Sequence, residues 1–292
     1  MLDALTWPEG VEALQRQATR VETPMDGGAV VWHVWGSHAA GDAAAKHAPV
    51  VLLHGGSGSW MHWLKNIPAL VAAGRCVLVP DLPGFGDSSA PLTGTDADVL
   101  PEPVEAGLQQ LLGPAACDLV GFSFGGLVAG FIAQRFPARV KQLVLVGAPG
   151  MGIDPLQPVQ LRGWRHLDEP LARDAIHRSN LAALMLHSEA SITELAVRVQ
   201  SANALRDRML RRSLARTDVL ARTLQTLHCP VQAIYGGEDV LYRGRADALQ
   251  SALAHAPGFR GLQWIANAGH WVQFEQPALF DAALASALQA GD

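Results

Sequence analysis

Residues 117–137 constrain this chain more than any other stretch. Cys117-Asp118-Leu119-Val120 opens as an apolar run of strand length. Leu127, Val128, Phe131 and Ile132 then follow at helical spacing until Pro137 stops them. Between the two lies Gly121-Phe122-Ser123-Phe124-Gly125-Gly126. A strand that becomes a helix within so few residues brings its own backbone into close approach. Glycine two positions before and two after the serine is what that closeness demands. The serine is lifted onto a sharp, strained turn, at a helix start whose unpaired N–H groups face any negative charge developing beside it. Gly-x-Ser-x-Gly alone is a common turn composition, so its meaning depends on partners elsewhere in the chain.

The partners are present, each at a strand end. Val50-Val51-Leu52-Leu53 reads as a strand buried on both faces, and it runs into His54-Gly55-Gly56-Ser57-Gly58-Ser59-Trp60. A glycine-rich strand end beside the serine supplies backbone donors for an oxyanion, which are assigned to the N–H groups of Gly56 and Phe124. Val231–Tyr235 is a strand delivering Gly236-Gly237-Glu238-Asp239, and Arg260–Ile265 is another delivering Gly269-His270-Trp271. An acid in such a turn is ordinarily structural, and an isolated Gly-His means nothing. The order Ser…Asp…His, each at a strand end, carries the inference. His54 is read as structural. Asp81 and Asp87, in the loop Pro80–Ser89, are read as loop-capping residues.

The remaining pattern alternates strand and helix. A helix is predicted over Pro8–Gln17, with strands over Thr19–Glu22 and Ala29–Trp35 joined by the turn Pro24–Gly28. Gly36–Pro49, with His38 and His47, is predicted as an exposed loop, Trp60–Ala72 as a helix and Cys76–Val79 as a strand. Asp96–Leu112 is helical in its second half, Val140–Gly147 is a strand and Pro277–Ala290 a closing helix. From about 150 to 228 no strand pattern survives. Asp168-Glu169-Pro170 opens one helix there. The capping-box sequence Ser191-Ile192-Thr193-Glu194 opens another toward Leu214. The chain is therefore divided into a core at 1–149, a helical cap at 150–228 and the rest of the core at 229–292. The cap holds 11 of the 19 arginines and eight acidic residues, a net +3. That is either a solvated helical surface or a lid whose basic face favours anionic substrates.

Composition narrows the classes. The net charge of −5 gives no basis for nucleic-acid binding. The three cysteines lie in or beside apolar runs and read as buried free thiols in a reducing compartment. No Cys-x-x-Cys or His-x-x-x-His spacing suggests a metal, and no cofactor is expected. Met1–Trp7 shows neither a basic region nor a long apolar core, and no run approaches the ~20 apolar residues of a membrane span. The expectation is a cytoplasmic protein with a small-molecule substrate and no membrane or nucleic-acid partner; a homodimer is left open.

The whole chain resembles the α/β-hydrolase superfamily, whose nucleophile elbow is Gly121-x-Ser123-x-Gly125 here and whose chain order is Ser…Asp…His. The resemblance implies an α/β fold with a mostly parallel eight-stranded sheet, flanking helices and a helical cap inserted after the sixth strand. It places the acid at the last position of the Gly-x-x-Asp turn, hence Asp239 rather than Glu238, with Asp154 as the rival position after the sixth strand. Within the superfamily, His54–Trp60, Pro149–Gly152 and Gly269-His270-Trp271-Val272-Gln273-Phe274-Glu275 are similar to the meta-cleavage-product hydrolases, which break carbon–carbon bonds in vinylogous diketo acids. That group has Asn before and Met after its serine, where this chain has Phe122 and Phe124. It also holds the substrate carboxylate with a cap arginine, and Arg198 and Arg206 lie near that place. The resemblance implies a Ser123–His270–Asp239 hydrolase working through an acyl-enzyme. A carboxylic ester hydrolase for small apolar or aromatic substrates comes first, a carbon–carbon bond hydrolase second and a slow-turnover ligand sensor third. Ser57, Trp60, Phe122, Trp164, Leu184, Met185 and Trp271 are expected to line the pocket.

Overall fold

The computed structural model describes residues 7–36, 47–209 and 211–289. His38, most of the expected loop around it and Met1–Thr6 lie outside the described residues. Strand sequences decide the architecture. Val50 and Leu52 face one apolar cluster while Val51 and Leu53 face another. Val144 and Val146 likewise alternate with Leu143 and Leu145. Strands apolar on both faces must be covered on both faces.

The strands are β1 (Thr19–Met25), β2 (Gly28–Trp35), β3 (Val50–Leu53), β4 (Val77–Pro80), β5 (Cys117–Phe122), β6 (Val140–Val146), β7 (Val231–Gly236) and β8 (Phe259–Ile265). They form one sheet in the order β1-β2-β4-β3-β5-β6-β7-β8. Only β2 runs against its neighbours. The helices are α1 (Glu9–Gln17), α2 (Ile67–Ala72), α3 (Pro101–Leu112), α4 (Phe124–Arg135), α5 (Pro170–Asn180), α6 (Glu194–Leu205), α7 (Val219–Leu224), α8 (Ala246–Ala254), α9 (Val272–Glu275) and α10 (Pro277–Gln289). Leu108, Leu127, Leu220 and Leu249 bring α3, α4, α7 and α8 onto one face. Leu14, Ile67, Phe274 and Leu284 bring α1, α2, α9 and α10 onto the other.

Several boundaries depart from the sequence expectation for local reasons. Trp60–Ala72 is not one helix: a 3₁₀ turn covers Trp60–Trp63, and α2 restarts with Pro68 in its first turn, where the missing N–H costs nothing. Pro101 likewise stands at the start of α3, so the helix covers more of 96–112 than its second half. The first hairpin turns at Asp26–Gly27, and Pro24 sits inside edge strand β1, the place in a sheet where proline is tolerated. Thr193, not Ser191, caps α6, its side chain accepting the Ala196 N–H, and α6 ends at Leu205.

Among the described residues, 150–228 contains no strand. Leu181, Met185, Ala196, Val197 and Val199 join the apolar cluster on the α1/α10 side. Residues 219–224 do not belong with them. As α7 they pack on α4, where a Cβ on Gly130 would lie 2.5 Å from Leu220. Within the segment assigned to the cap, the chain has thus returned to the layer covering the sheet by α7.

Candidate active site

The turn between β5 and α4 is as tight as its glycines imply. A Cβ on Gly121 would sit 2.5 Å from the Gly125 carbonyl, and one on Gly125 would sit 2.5 Å from the carbonyl of His54. Ser123 takes a φ of 51°, a left-handed conformation that an ordinary residue holds only when its surroundings enforce it. Its N–H donates to Val146 O at 2.8 Å. That bond ties the turn to the neighbouring strand and leaves the hydroxyl free to face the cavity.

Three elements then converge. Ser123 Oγ lies 2.8 Å from His270 Nε2, and His270 Nδ1 lies 2.8 Å from Asp239 Oδ2. Asp239 is fully buried and His270 nearly so. The second carboxylate oxygen accepts the Leu241 N–H at 3.0 Å. A carboxylate can only accept, so Nδ1 carries the proton toward Asp239, and Nε2 is the acceptor for the serine hydroxyl. Asp154 is exposed, and among the described contacts none joins it to His270. Two tyrosines keep the β7 turn in place: the hydroxyls of Tyr235 and Tyr242 both donate to Ala148 O, at 2.9 and 2.7 Å.

The glycine-rich end of β3 is held by two imidazoles. His62 Nδ1 accepts the Gly55 N–H at 3.2 Å, and His54 Nδ1 donates to Gly55 O at 2.8 Å. His54 Nε2 accepts the Leu82 N–H at 2.9 Å. Burial lowers the pKa of His54 and pushes that of His62 well below the ordinary range, so both are neutral at pH 7. Gly55 O and Gly56 N–H belong to one planar trans peptide and point in opposite directions. Holding the carbonyl therefore aims the Gly56 N–H. Among the described residues, neither that N–H nor the Phe124 N–H is taken by a protein acceptor.

Asp81 and Asp87 are structural. Asp81 accepts the Trp60 and Asp87 N–H groups, and the Asp87 carboxylate pairs with Arg206 at 2.7 Å.

A cavity of about 660 Å³ opens beside Ser123 and His270, lined by Ser57, Phe122, Phe124, Trp164, Leu184 and Met185 among others. A second, of about 840 Å³, reaches the same two residues from the side of Met151 and Tyr242. Two expected lining residues are absent. Trp60 is buried between Trp35 and His33. Trp271 is fully buried, stacked on Phe274 with its indole N–H on His62 O at 3.1 Å. Both tryptophans follow glycine-rich turns, but their rings turn back into the apolar layer rather than toward the serine.

The arginines are also redistributed. Arg198 pairs with Glu194 and Arg206 with Asp87, and neither lines the cavity. Arg162, Arg165 and Arg212 do. The Arg212 guanidinium pairs with Asp207 and donates to Ser57 Oγ at 3.3 Å. Its Nε is buried without an acceptor and would lie 2.9 Å from a Cβ on Gly56. No local sequence pattern marks Arg212 or His62; each is defined by a contact with the β3 loop.

Known proteins agree on this architecture. Residues 48–182 match the family model of the alpha/beta hydrolase fold. An esterase from Rhodococcus sp. ECU1013 superposes with a TM-score of 0.74 at 22% identity, over 94% of this chain and all of that one. A meta-cleavage product hydrolase from Pseudomonas fluorescens IP01 superposes with a TM-score of 0.72 at 23% identity, over 93% of this chain and 98% of that one. The protein has the α/β-hydrolase fold. In sequence it is similar to the 2-hydroxy-6-oxo-6-phenylhexa-2,4-dienoate hydrolase of Burkholderia cepacia, 29% identical over 168 residues. That match covers 56% of this chain and 59% of the relative, so the chain spans little more than half the length of that curated protein.

Proposed function

We propose that this protein is a serine hydrolase that cleaves carboxylic esters through an acyl-enzyme. The observation that carries the reading is the continuous hydrogen-bonded chain Ser123–His270–Asp239, whose first two residues line two cavities. His270 takes the Ser123 proton as the hydroxyl attacks the ester carbonyl. Asp239 holds the tautomer and stabilises the imidazolium that forms. The tetrahedral oxyanion is met by the N–H groups of Gly56 and Phe124, each worth about 3 kcal/mol in the transition state. His270 returns its proton to the departing alcohol, and water, deprotonated by the same imidazole, releases the acid. Phe122, Phe124, Trp164, Leu184 and Met185 favour a small apolar or aromatic acyl group. The three cysteines are free, with burial pushing Cys117 up to about 12 and Cys76 to about 11; unpaired, unreactive thiols support a cytoplasmic location.

The test is turnover of p-nitrophenyl acetate and a p-nitrophenyl aryl ester. Ser123→Ala should remove turnover by several orders of magnitude with the fold intact. A tenth of the wild-type rate in that variant would refute the nucleophile assignment.

A second reading, hydrolysis of a carbon–carbon bond in a diketo acid, is favoured by the Burkholderia cepacia relative and by the three arginines on the cavity wall. It predicts cleavage of a meta-cleavage-type diketo acid that is lost in Arg212→Ala and kept in Arg198→Ala. Good ester turnover with no diketo acid cleavage would remove it.

A further inference from the structure

The loop that carries His270 and the wall of the substrate cavity share one carboxylate. Glu275 ends α9, and its side chain accepts three backbone N–H groups. Gly269 donates to Oε2 at 2.7 Å, His187 to Oε2 at 2.9 Å and Ser188 to Oε1 at 2.7 Å. Gly269 immediately precedes His270. On the other side of the histidine, the Trp271 N–H donates to Met185 O at 2.7 Å. Both neighbours of His270 are thus bound, directly or through Glu275, to residues 185–188.

There is no slack in this joint. A Cβ on Gly269 would lie 2.8 Å from His187 N and 3.0 Å from Met185 O. Residues 185–188 continue a π turn at Leu181–Met185, closed by the Leu186 N–H on Leu181 O at 2.9 Å. Such turns are rare and cluster at functional sites. This one presents Leu181, Leu184 and Met185 to the cavity beside Ser123. Its free end is where Glu275 holds on.

The chemistry requires a carboxylate of this length. Ionised Glu only accepts, through two oxygens with about four lone-pair sites, so it satisfies three convergent N–H groups. Glutamine would turn an NH₂ toward at least one of them. The Lys65 ammonium donates to Phe274 O at 2.8 Å, one residue before Glu275.

We propose that Glu275 is a positioning residue for His270, coupling residues 185–188 of the cavity wall to the orientation of the general base. The proposal rests on reading Ser123, His270 and Asp239 as the catalytic set. A side chain pressing on Leu184 or Met185 moves the strap that holds Gly269 and Trp271, so the geometry of the base depends on what fills the cavity.

The experiment measures kcat and KM for p-nitrophenyl butyrate in wild type and Glu275→Gln. It is accompanied by thermal melting and by the far-downfield proton resonance of a histidine Nδ1–H bound to a carboxylate, assigned by its loss in Asp239→Asn. Glu275→Gln should lower kcat about tenfold, part of the ~10²–10⁴ that general-base catalysis supplies. KM should stay within about twofold, and the resonance should shift or broaden while the protein remains folded at the assay temperature. Wild-type kcat with an unchanged resonance would overturn the proposal, whatever the melting temperature. So would a rise in KM with kcat unchanged, since Glu275 would then shape binding alone. If Glu275→Gln does not fold, Ser188→Pro removes one of the three donors at a φ of −87°, close to what proline allows. A smaller fall in kcat at constant KM supports the proposal there, and unchanged kcat overturns it. Absence of both turnover and resonance in the wild type would strike down the catalytic reading, and this one with it.

Discussion

Gly125 and Gly10 show how one residue type plays opposite parts. A Cβ on Gly125 would meet backbone carbonyls of His54 and Leu53 at 2.5 and 2.6 Å, whereas one on Gly10, in α1, would meet nothing within 4 Å. Backbone cannot rotate away as a side-chain tip can. Gly125→Ala should therefore destabilise by at least the ~1–3 kcal/mol typical of overpacking. Gly10→Ala should be neutral or stabilising by up to about 1 kcal/mol. Urea midpoints of the two variants check both. Equal midpoints would mean that the elbow is looser than the distances say. At this scale Ser123, Asp239 and His270 were legible because each stands in a short local pattern. Arg212, His62 and Glu275 were not: their partners lie 155, 7 and as many as 88 residues away. No neighbour in the chain announces the contact. Trp60 and Trp271 were misplaced for a related reason, since adjacency to a catalytic loop does not say which way a ring turns.

Between elements, α2 and α10 meet through a polar joint in an apolar layer. The side-chain amide of Asn66, preceding α2, donates to Gln273 O at 3.1 Å and to Asp281 Oδ1, on α10, at 2.8 Å. Burial pushes the Asp281 carboxyl up to about 6, with the Asn66 bond opposing it. The folded state therefore binds a proton that the unfolded chain has already lost between about pH 4 and 6. The stability that Asp281 contributes is complete below pH 4 and is lost as pH rises through 6. Asp281→Asn should accordingly raise the melting temperature at pH 8, with the gain vanishing by pH 4. A gain that is independent of pH would contradict the sign. The sequence pattern found each of the eight described strands, the central ones because strands buried on both faces are written in Val and Leu. It misjudged Trp60–Ala72 and the end of α6, where proline position and tertiary contact, rather than propensity, set the boundary. The π turn has no sequence signature, since it differs from an α-helical turn only in which carbonyl its N–H groups reach.

Over the whole molecule, one eight-stranded sheet carries the serine, the histidine and the acid at the ends of its strands, and residues of the helical segment after β6 line the two cavities beside them. The mostly parallel eight-stranded sheet was legible because the resemblance to the superfamily implies it; the order of its strands comes from the structure. The packing of α7 on α4 was not legible, because no residue pattern in 219–224 names its partner. The central claim is that Ser123 becomes acylated. Mass spectrometry of the protein quenched in acid during turnover of p-nitrophenyl butyrate tests it most directly. One butyryl increment should appear on the Ser123 peptide and be absent in Ser123→Ala. Steady turnover with no increment, or with the increment on another residue, would contradict it.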